Sequence, residues 1–183
     1  MAIHTLFTIG HSTHPIEEFI ELLKTHEIEE IADVRSIPKS RHVPQFNIDV
    51  LKESLQGAGI RYTQIAKLGG RRHTRKDSTN TGWRNAAFRG YADYMATPQF
   101  AEGLEELIAI ARAQRTAIMC AEAVPWRCHR SLIADAMAVR GWDVRDILSN
   151  APPKEHELTP FLKVVDGQLT YPVAEGNAPR LFS

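Results

Sequence analysis

The feature that most limits what this chain can fold into is an alternation. Short apolar runs are separated by amphipathic helical stretches along most of its length. Such alternation builds a mostly parallel sheet covered by helices, because each parallel pair needs a crossover long enough to hold a helix. The first run is Leu6 to Ile9. A helix follows, with Pro15 in a first-turn position, Glu17 and Glu18 near its positive end, and Ile16, Phe19, Ile20 and Leu23 as the inward stripe. A second strand is expected at Ile31 to Val34, then a short helix from Val50 to Leu55 stopping at Gly57 or Gly59, then a strand at Arg61 to Ile65. Thr97-Pro98 caps a helix carrying Phe100, Leu104, Leu107, Ile108 and Ala111 on one face. Thr116 to Ala121 is the clearest strand, and the helix after it turns Leu132, Ile133, Ala136 and Met137 inward and stops at Gly141. A fifth strand fits Val144 to Leu148, and Asp166-Gly167 between two short runs signals a two-residue hairpin.

The expected fold is therefore α/β: a single three-layer domain over residues 1–183, with a mostly parallel sheet of about five strands, helices on both faces, and a C-terminal β-hairpin and tail within 158–175. The order of the strands is not specified at this level. A length of 183 residues suits one well-buried domain. Lysine plus arginine equals aspartate plus glutamate at 22 each, so any attraction for nucleic acid must come from a local patch and not from net charge. The N-terminal residues lack the layout of a secretory signal, and no apolar run approaches the roughly 20 residues that span a bilayer, so a cytoplasmic protein without membrane contact is expected. The two cysteines, Cys120 and Cys128, lie across a proline-containing loop and do not suggest a disulfide scaffold, which fits a reducing compartment.

Residues 66–90 break the alternation. They are polar, basic and poor in aliphatics, and read as a long loop of the kind that carries function. Arg71-Arg72-His73-Thr74-Arg75-Lys76-Asp77, followed by Trp83, Phe88 and Tyr91, interleaves cations with aromatic rings. That pattern suits a phosphate backbone with stacked bases, a lid over a phosphorylated small molecule, or a solvated loop pinned by its aromatics.

The remaining polar motifs each follow a strand: Gly10-His11-Ser12 the first, Asp33 to Arg35 with Ser40 the second, Gly69 to Arg72 the third, and Glu122 with Arg127-Cys128-His129-Arg130 the fourth. Ligands of open α/β sheets bind beyond the carboxyl ends of the strands, so these segments are expected to share one edge. Taken together, TIGHS, ADVRSIPKSR, LGGRR, RGYADYM and MCAEAVPWRCHR resemble a bacterial family called domain of unknown function 488, in order, from about residue 6 to about residue 150. The resemblance implies an α/β fold with a shared polar site and brings no established reaction.

On chemistry, a helix starting near Cys128 would aim free N–H groups at the strand end, and arginines beside it supply bidentate donors for phosphate or carboxylate. Arg35, Arg127 and Arg130 are the expected anion holders, with Ser12, Asp33, Ser40, Arg71, Arg72, Tyr91 and His129 as further substrate-binding residues. Glu122 and His11 are candidates for proton transfer, and Cys128 for an assisting thiol. Each has a structural alternative: Glu122 as ion-pair partner of Arg35 or Arg127, His11 as a satisfied buried ring, Cys128 as packing, and Asp33 paired with Arg35. Three functions are compatible with these residues. One is an enzyme, a hydrolase or transferase, acting on an anionic, phosphate-bearing or nucleotide-related substrate. Another is a non-catalytic module binding nucleotide or single-stranded nucleic acid through residues 71–91. The third is a metal-dependent hydrolase using His11, Glu122, Cys128 and His129, although no close metal-ligand spacing occurs and no metal ligand is assigned. No cofactor is identifiable from the residues.

Overall fold

The computed structural model describes residues 2–173. The elements are β1 (Thr5–Gly10), α1 (Ile16–Thr25), β2 (Glu30–Asp33), α2 (Ile48–Gly57), β3 (Arg61–Gln64), α3 (Ala86–Tyr94), α4 (Pro98–Ala113), β4 (Thr116–Cys120), α5 (Arg130–Val139), β5 (Asp143–Ile147), β6 (Lys154–Glu155), β7 (Lys163–Val165) and β8 (Gln168–Thr170). One sheet has the order β3-β2-β4-β1-β5-β6, parallel throughout except for the antiparallel edge strand β6. β7 and β8 form the separate hairpin, turning at Asp166 and Gly167, both with positive φ as a tight two-residue turn requires. The part of the expected tail beyond residue 173 lies outside the described residues.

Period-two alternation sorts the strand residues onto two apolar layers. Leu6, Ala32, Ile118 and Val144 meet Phe100, Leu104, Leu107 and Leu132 of α4 and α5 on one face. Phe7, Ile9, Ile31, Ala117 and Met119 meet Phe19, Leu23, Leu51 and Leu55 of α1 and α2 on the other. The strands are apolar on both faces because helices cover both. Thr97 caps α4 through its hydroxyl, which accepts from the Phe100 amide.

Two stretches differ from expectation. The 66–90 segment is not structureless: α3 begins at Ala86, with the Asn85 side chain accepting from the Ala87 amide at 2.8 Å as its cap. The basic stretch before it closes on the buried carboxylate of Asp93, which accepts from the Arg75 amide, the Ser78 hydroxyl and the Asn80 side-chain amide. Few aliphatics and a central Gly90 hid this helix, yet Gly90 is needed because the Arg72 carbonyl occupies the space of a side chain. The helix after β4 starts at Arg130 and not at Cys128. Pro125–Arg127 forms a 3-10 turn and Cys128 is extended, since a proline at the head of the turn favours a short local bend first.

β1 and β4 are direct neighbours, in register from Phe7 against Ala117 to Gly10 against Cys120. The pairing runs past the strand ends: the His11 amide donates to Cys120 O and the Ser12 amide to Ala121 O, both at 2.9 Å. At Gly10 the carbonyl of Glu122 fills the position a Cβ would take, so only glycine lets the loop after β4 fold across β1. Gly10→Ala is expected to cost about 3 kcal/mol. That loss lowers the melting temperature by about 6–12 °C in a chain of this size. Gly57→Ala, with open space around its Cβ, serves as the control and leaves calorimetric stability near wild type.

Candidate functional site

A cavity of about 310 Å³ opens at the carboxyl edge of β2 and β4. The loop after β2 contributes Arg35, Ser36 and Ile37, and the loop after β3 contributes Gly70 and Arg71. Asn85, Phe88 and Tyr91 line it from the start of α3, and Cys120, Glu122, Arg127, Cys128 and His129 from the end of β4 and the turn beyond. Of the sequence candidates, the structure thus brings together Arg35, Arg71, Tyr91, Glu122, Arg127, Cys128 and His129. Sequence reasoning placed Ser36, Gly70 and Phe88 in the right segments without choosing them, and missed Asn85, whose helix-capping role was the available signal.

The charges at this edge divide into captured and free. Arg35 is held by Asp33 through Nε to Oδ1 at 2.9 Å and Nη2 to Oδ2 at 2.7 Å, and the Tyr62 hydroxyl donates to the same carboxylate at 2.5 Å. This is the Asp33–Arg35 pairing that the sequence left open; Asp33 lies wholly beneath the surface as its counter-ion. Burial and the Asp33 charge both hold the Tyr62 phenol above its usual range. Arg71 and Arg127 are exposed and form no ion pair among the described residues, and the same holds for Glu122. The expected Glu122 pairing with Arg35 or Arg127 is therefore not formed: Asp33 has already taken Arg35. Arg71 has a positive φ of 59°, a conformation costly for a side chain of its size.

Both histidines are neutral structural donors. His11 is 2% exposed, its ring stacked on Phe46, and burial brings its pKa down to about 4 with the Arg35 charge adding to the effect. Nδ1–H donates to Ser12 O at 2.7 Å, leaving Nε2 to accept from Arg35 Nη1 at 3.3 Å. His11, expected to take part in proton transfer, is not among the cavity-lining residues and meets the Arg35 guanidinium instead. His129 reaches the cavity wall, but its Nε2–H donates to Val34 O at 2.8 Å, and burial likewise holds its pKa at about 4. It fastens the loop after β2 to the start of α5.

Four other expected ligand contacts are not at the cavity. Arg130 is 0% exposed, and its guanidinium donates to Cys120 Sγ at 2.7 Å, Ala123 O at 3.2 Å, Thr8 Oγ1 at 3.3 Å and the Glu122 carbonyl. Burial in this position brings its pKa down to about 10, which still leaves it a cation. Arg72 donates to Gly69 O and lies 3.7 Å over the Tyr94 ring, a stacking contact that occupies its charge locally. Ser40 accepts from the His42 amide within its own turn, and Ser12 holds a backbone turn at φ 48°. Tyr91 lines the cavity, but its hydroxyl donates to Leu68 O, so it contributes a ring face. The sulfurs of Cys120 and Cys128 lie against each other, but their Cα atoms are 7.3 Å apart, wider than the roughly 4.4–6.8 Å that a disulfide spans. The parallel crossover folds the 122–127 loop back and brings them together. Cys128 is buried and lines the cavity beside Glu122. Among the described residues no group of three or more His, Cys, Asp or Glu side chains comes together as a metal site.

Beyond α5 lies a second polar cluster. Asp135, fully buried, accepts from His156 Nε2 at 2.8 Å, the Thr159 hydroxyl at 2.7 Å and the Tyr171 hydroxyl at 2.9 Å, and straps the C-terminal segment over the helix. Burial opposes the charge on His156, but Asp135 and Asp146 outweigh it and lift its pKa to about 9.

The fold and site define an α/β protein with a parallel sheet and an arginine-bearing cavity at its carboxyl edge. The chain belongs to the family described as Domain of unknown function DUF488, matched over residues 15–137. Neither the curated proteins nor the solved structures compared with it yield a match. No helix among the described residues is long and apolar enough to cross a membrane.

These histidines set the pH dependence of stability. An unfolded histidine titrates near 6.5. His156, raised to about 9, contributes stability that is complete below about pH 6.5 and lost as pH rises through 9. Neutral His11 and His129, lowered to about 4, contribute stability that is complete above about pH 6.5 and lost as pH falls toward 4. Urea titrations at pH 5, 6.5 and 9 are expected to place maximal stability near the middle value. His156→Gln is expected to flatten the alkaline limb while costing on the order of 3 kcal/mol below pH 6.5.

Proposed function

We propose that this protein is an enzyme, a hydrolase or transferase, acting on an anionic, phosphate-bearing or nucleotide-related substrate at the carboxyl edge of the sheet. The observation that supports this most directly is the pair of unpaired guanidinium groups, Arg71 and Arg127, on one concave cavity together with an unpaired Glu122. Guanidinium forks bind phosphate oxygens through charge-assisted pairs, and a cavity partly closed to water strengthens them. Arg35, its charge offset by Asp33, orients the anion without adding net attraction. Glu122 exchanges the proton, taking it from an attacking hydroxyl or water and returning it to the leaving group.

A second reading, a non-catalytic module for nucleotide or single-stranded nucleic acid, is favoured by the ring faces of Phe88 and Tyr91 beside Arg71 in the same cavity. Two variants separate the readings. In a thermal-shift panel of nucleotides and sugar phosphates, a true ligand at 100 times its dissociation constant stabilises the wild type by roughly 2.7 kcal/mol. Arg127→Ala is expected to weaken that ligand by about tenfold to a hundredfold, as loss of a charged hydrogen-bond donor does. Glu122→Gln is then expected to leave affinity within about threefold and to slow turnover of the same ligand by about 10²–10⁴. Unchanged ligand in all assays with wild type, under conditions where it binds, supports the binding module instead.

A further inference from the structure

A second cavity, of about 500 Å³, lies on the other side of the Pro125–Arg127 turn. Arg127 lines the first cavity, while Pro125 and Trp126 line the second. The far wall is shared in the same way. Phe88 belongs to the first cavity and Trp83 to the second, and their rings stack on each other at 4.9 Å and 20°. The two cavities are therefore separated by the thickness of one aromatic stack and one short turn.

The second cavity is built differently from the first. Trp126 is 65% exposed, an indole left in solvent at the wall of a cavity and not packed into the core. Phe161 packs edge-on against Trp83 at 4.9 Å between ring centroids and continues the aromatic surface. The Trp83 Nε1–H is buried and has no hydrogen-bond partner among the described residues. Glu155 and Glu157 also line the cavity, exposed and able to accept from an amino group. Flat apolar faces and two carboxylates suit a planar heteroaromatic ring bearing an amine.

We propose that the second cavity is the ring-binding half of the same site, taking the nucleobase of a nucleoside phosphate whose phosphate lies at Arg71 and Arg127. This rests on the anionic-substrate reading above and narrows it to a bipartite ligand. The shared chemistry is a base, a sugar and a phosphate, whether free or as one unit of a single strand.

The test is isothermal titration of the full chain with adenosine 5′-monophosphate, adenosine, ribose 5-phosphate and a single-stranded DNA ten-mer, for wild type, Trp126→Ala and Arg127→Ala. Adenosine 5′-monophosphate is expected to bind at least about tenfold more tightly than ribose 5-phosphate. Trp126→Ala is expected to erase that difference while leaving ribose 5-phosphate binding and the melting temperature unchanged, since the ring is exposed. A nucleotide no tighter than ribose 5-phosphate, or a difference that survives Trp126→Ala, overturns the base subsite and leaves the anion site standing. Trp126-dependent binding of adenosine that gains nothing from phosphate supports the ring subsite and overturns the anion reading. No binding by any of the four overturns both. A ten-mer more than about tenfold tighter than the mononucleotide, and still dependent on Trp126, assigns the subsite to a strand; equal affinity assigns it to the free nucleotide.

Discussion

The buried guanidinium of Arg130 is the contact on which the candidate site depends. It sits at the first position of α5, has no exposure, and satisfies its donors with a strand sulfur, a strand hydroxyl and two loop carbonyls. It therefore ties β1, β4, the 122–124 loop and α5 at one point. Thr8, one of its partners, donates its own hydroxyl hydrogen bond to Asp146, so that carboxylate is one hydroxyl away. A buried cation supported this way is destabilising to break, because its donors lose every partner at once. The site loop has little freedom to move while this contact holds.

Buried carboxylates repeat the logic elsewhere. Asp33 captures Arg35 and Tyr62, Asp93 closes the basic segment, and Asp135 straps the C-terminal segment over α5. Each is satisfied by several donors, which is the condition under which a buried charge is tolerated. The polar groups that stay available are those no carboxylate has reached. Arg71, Arg127 and Glu122 converge on one cavity because the two segments carrying them, after β3 and after β4, leave parallel strands on either side of β2 at the same edge. A residue's availability to a ligand is thus decided by its neighbours.

The turn at Pro125–Arg127 divides two kinds of surface, cationic on one side and aromatic on the other. Consecutive residues of a 3-10 turn point about a third of a turn apart, so adjacent side chains serve different cavities. Cys120 and Cys128, their sulfurs against each other, flank the same turn. Together with Gly10, which admits the Glu122 carbonyl, these features place the turn firmly over the strand ends.

The sequence by itself determined the elements and their faces. Leu6 to Ile9, Thr116 to Ala121 and the stripe from Phe100 to Ala111 are legible because apolar periodicity is a local property, and all five parallel strands lie where it put them. The general location of the site was legible too, since polar motifs that follow parallel strands must meet at one edge. Only the tertiary structure decided which of those motifs face the cavity. Arg130 and Arg127 are near neighbours of the same type, yet one is wholly buried under backbone carbonyls and the other is free. His11 looks like an acid–base group until Phe46, Ser12 and Arg35 close around it. The helix α3 was likewise invisible, because it depends on Asp93 and Gly90, which bring together residues distant in sequence. Periodicity reports which way a side chain leaves the backbone; the partner waiting there is set by long-range packing.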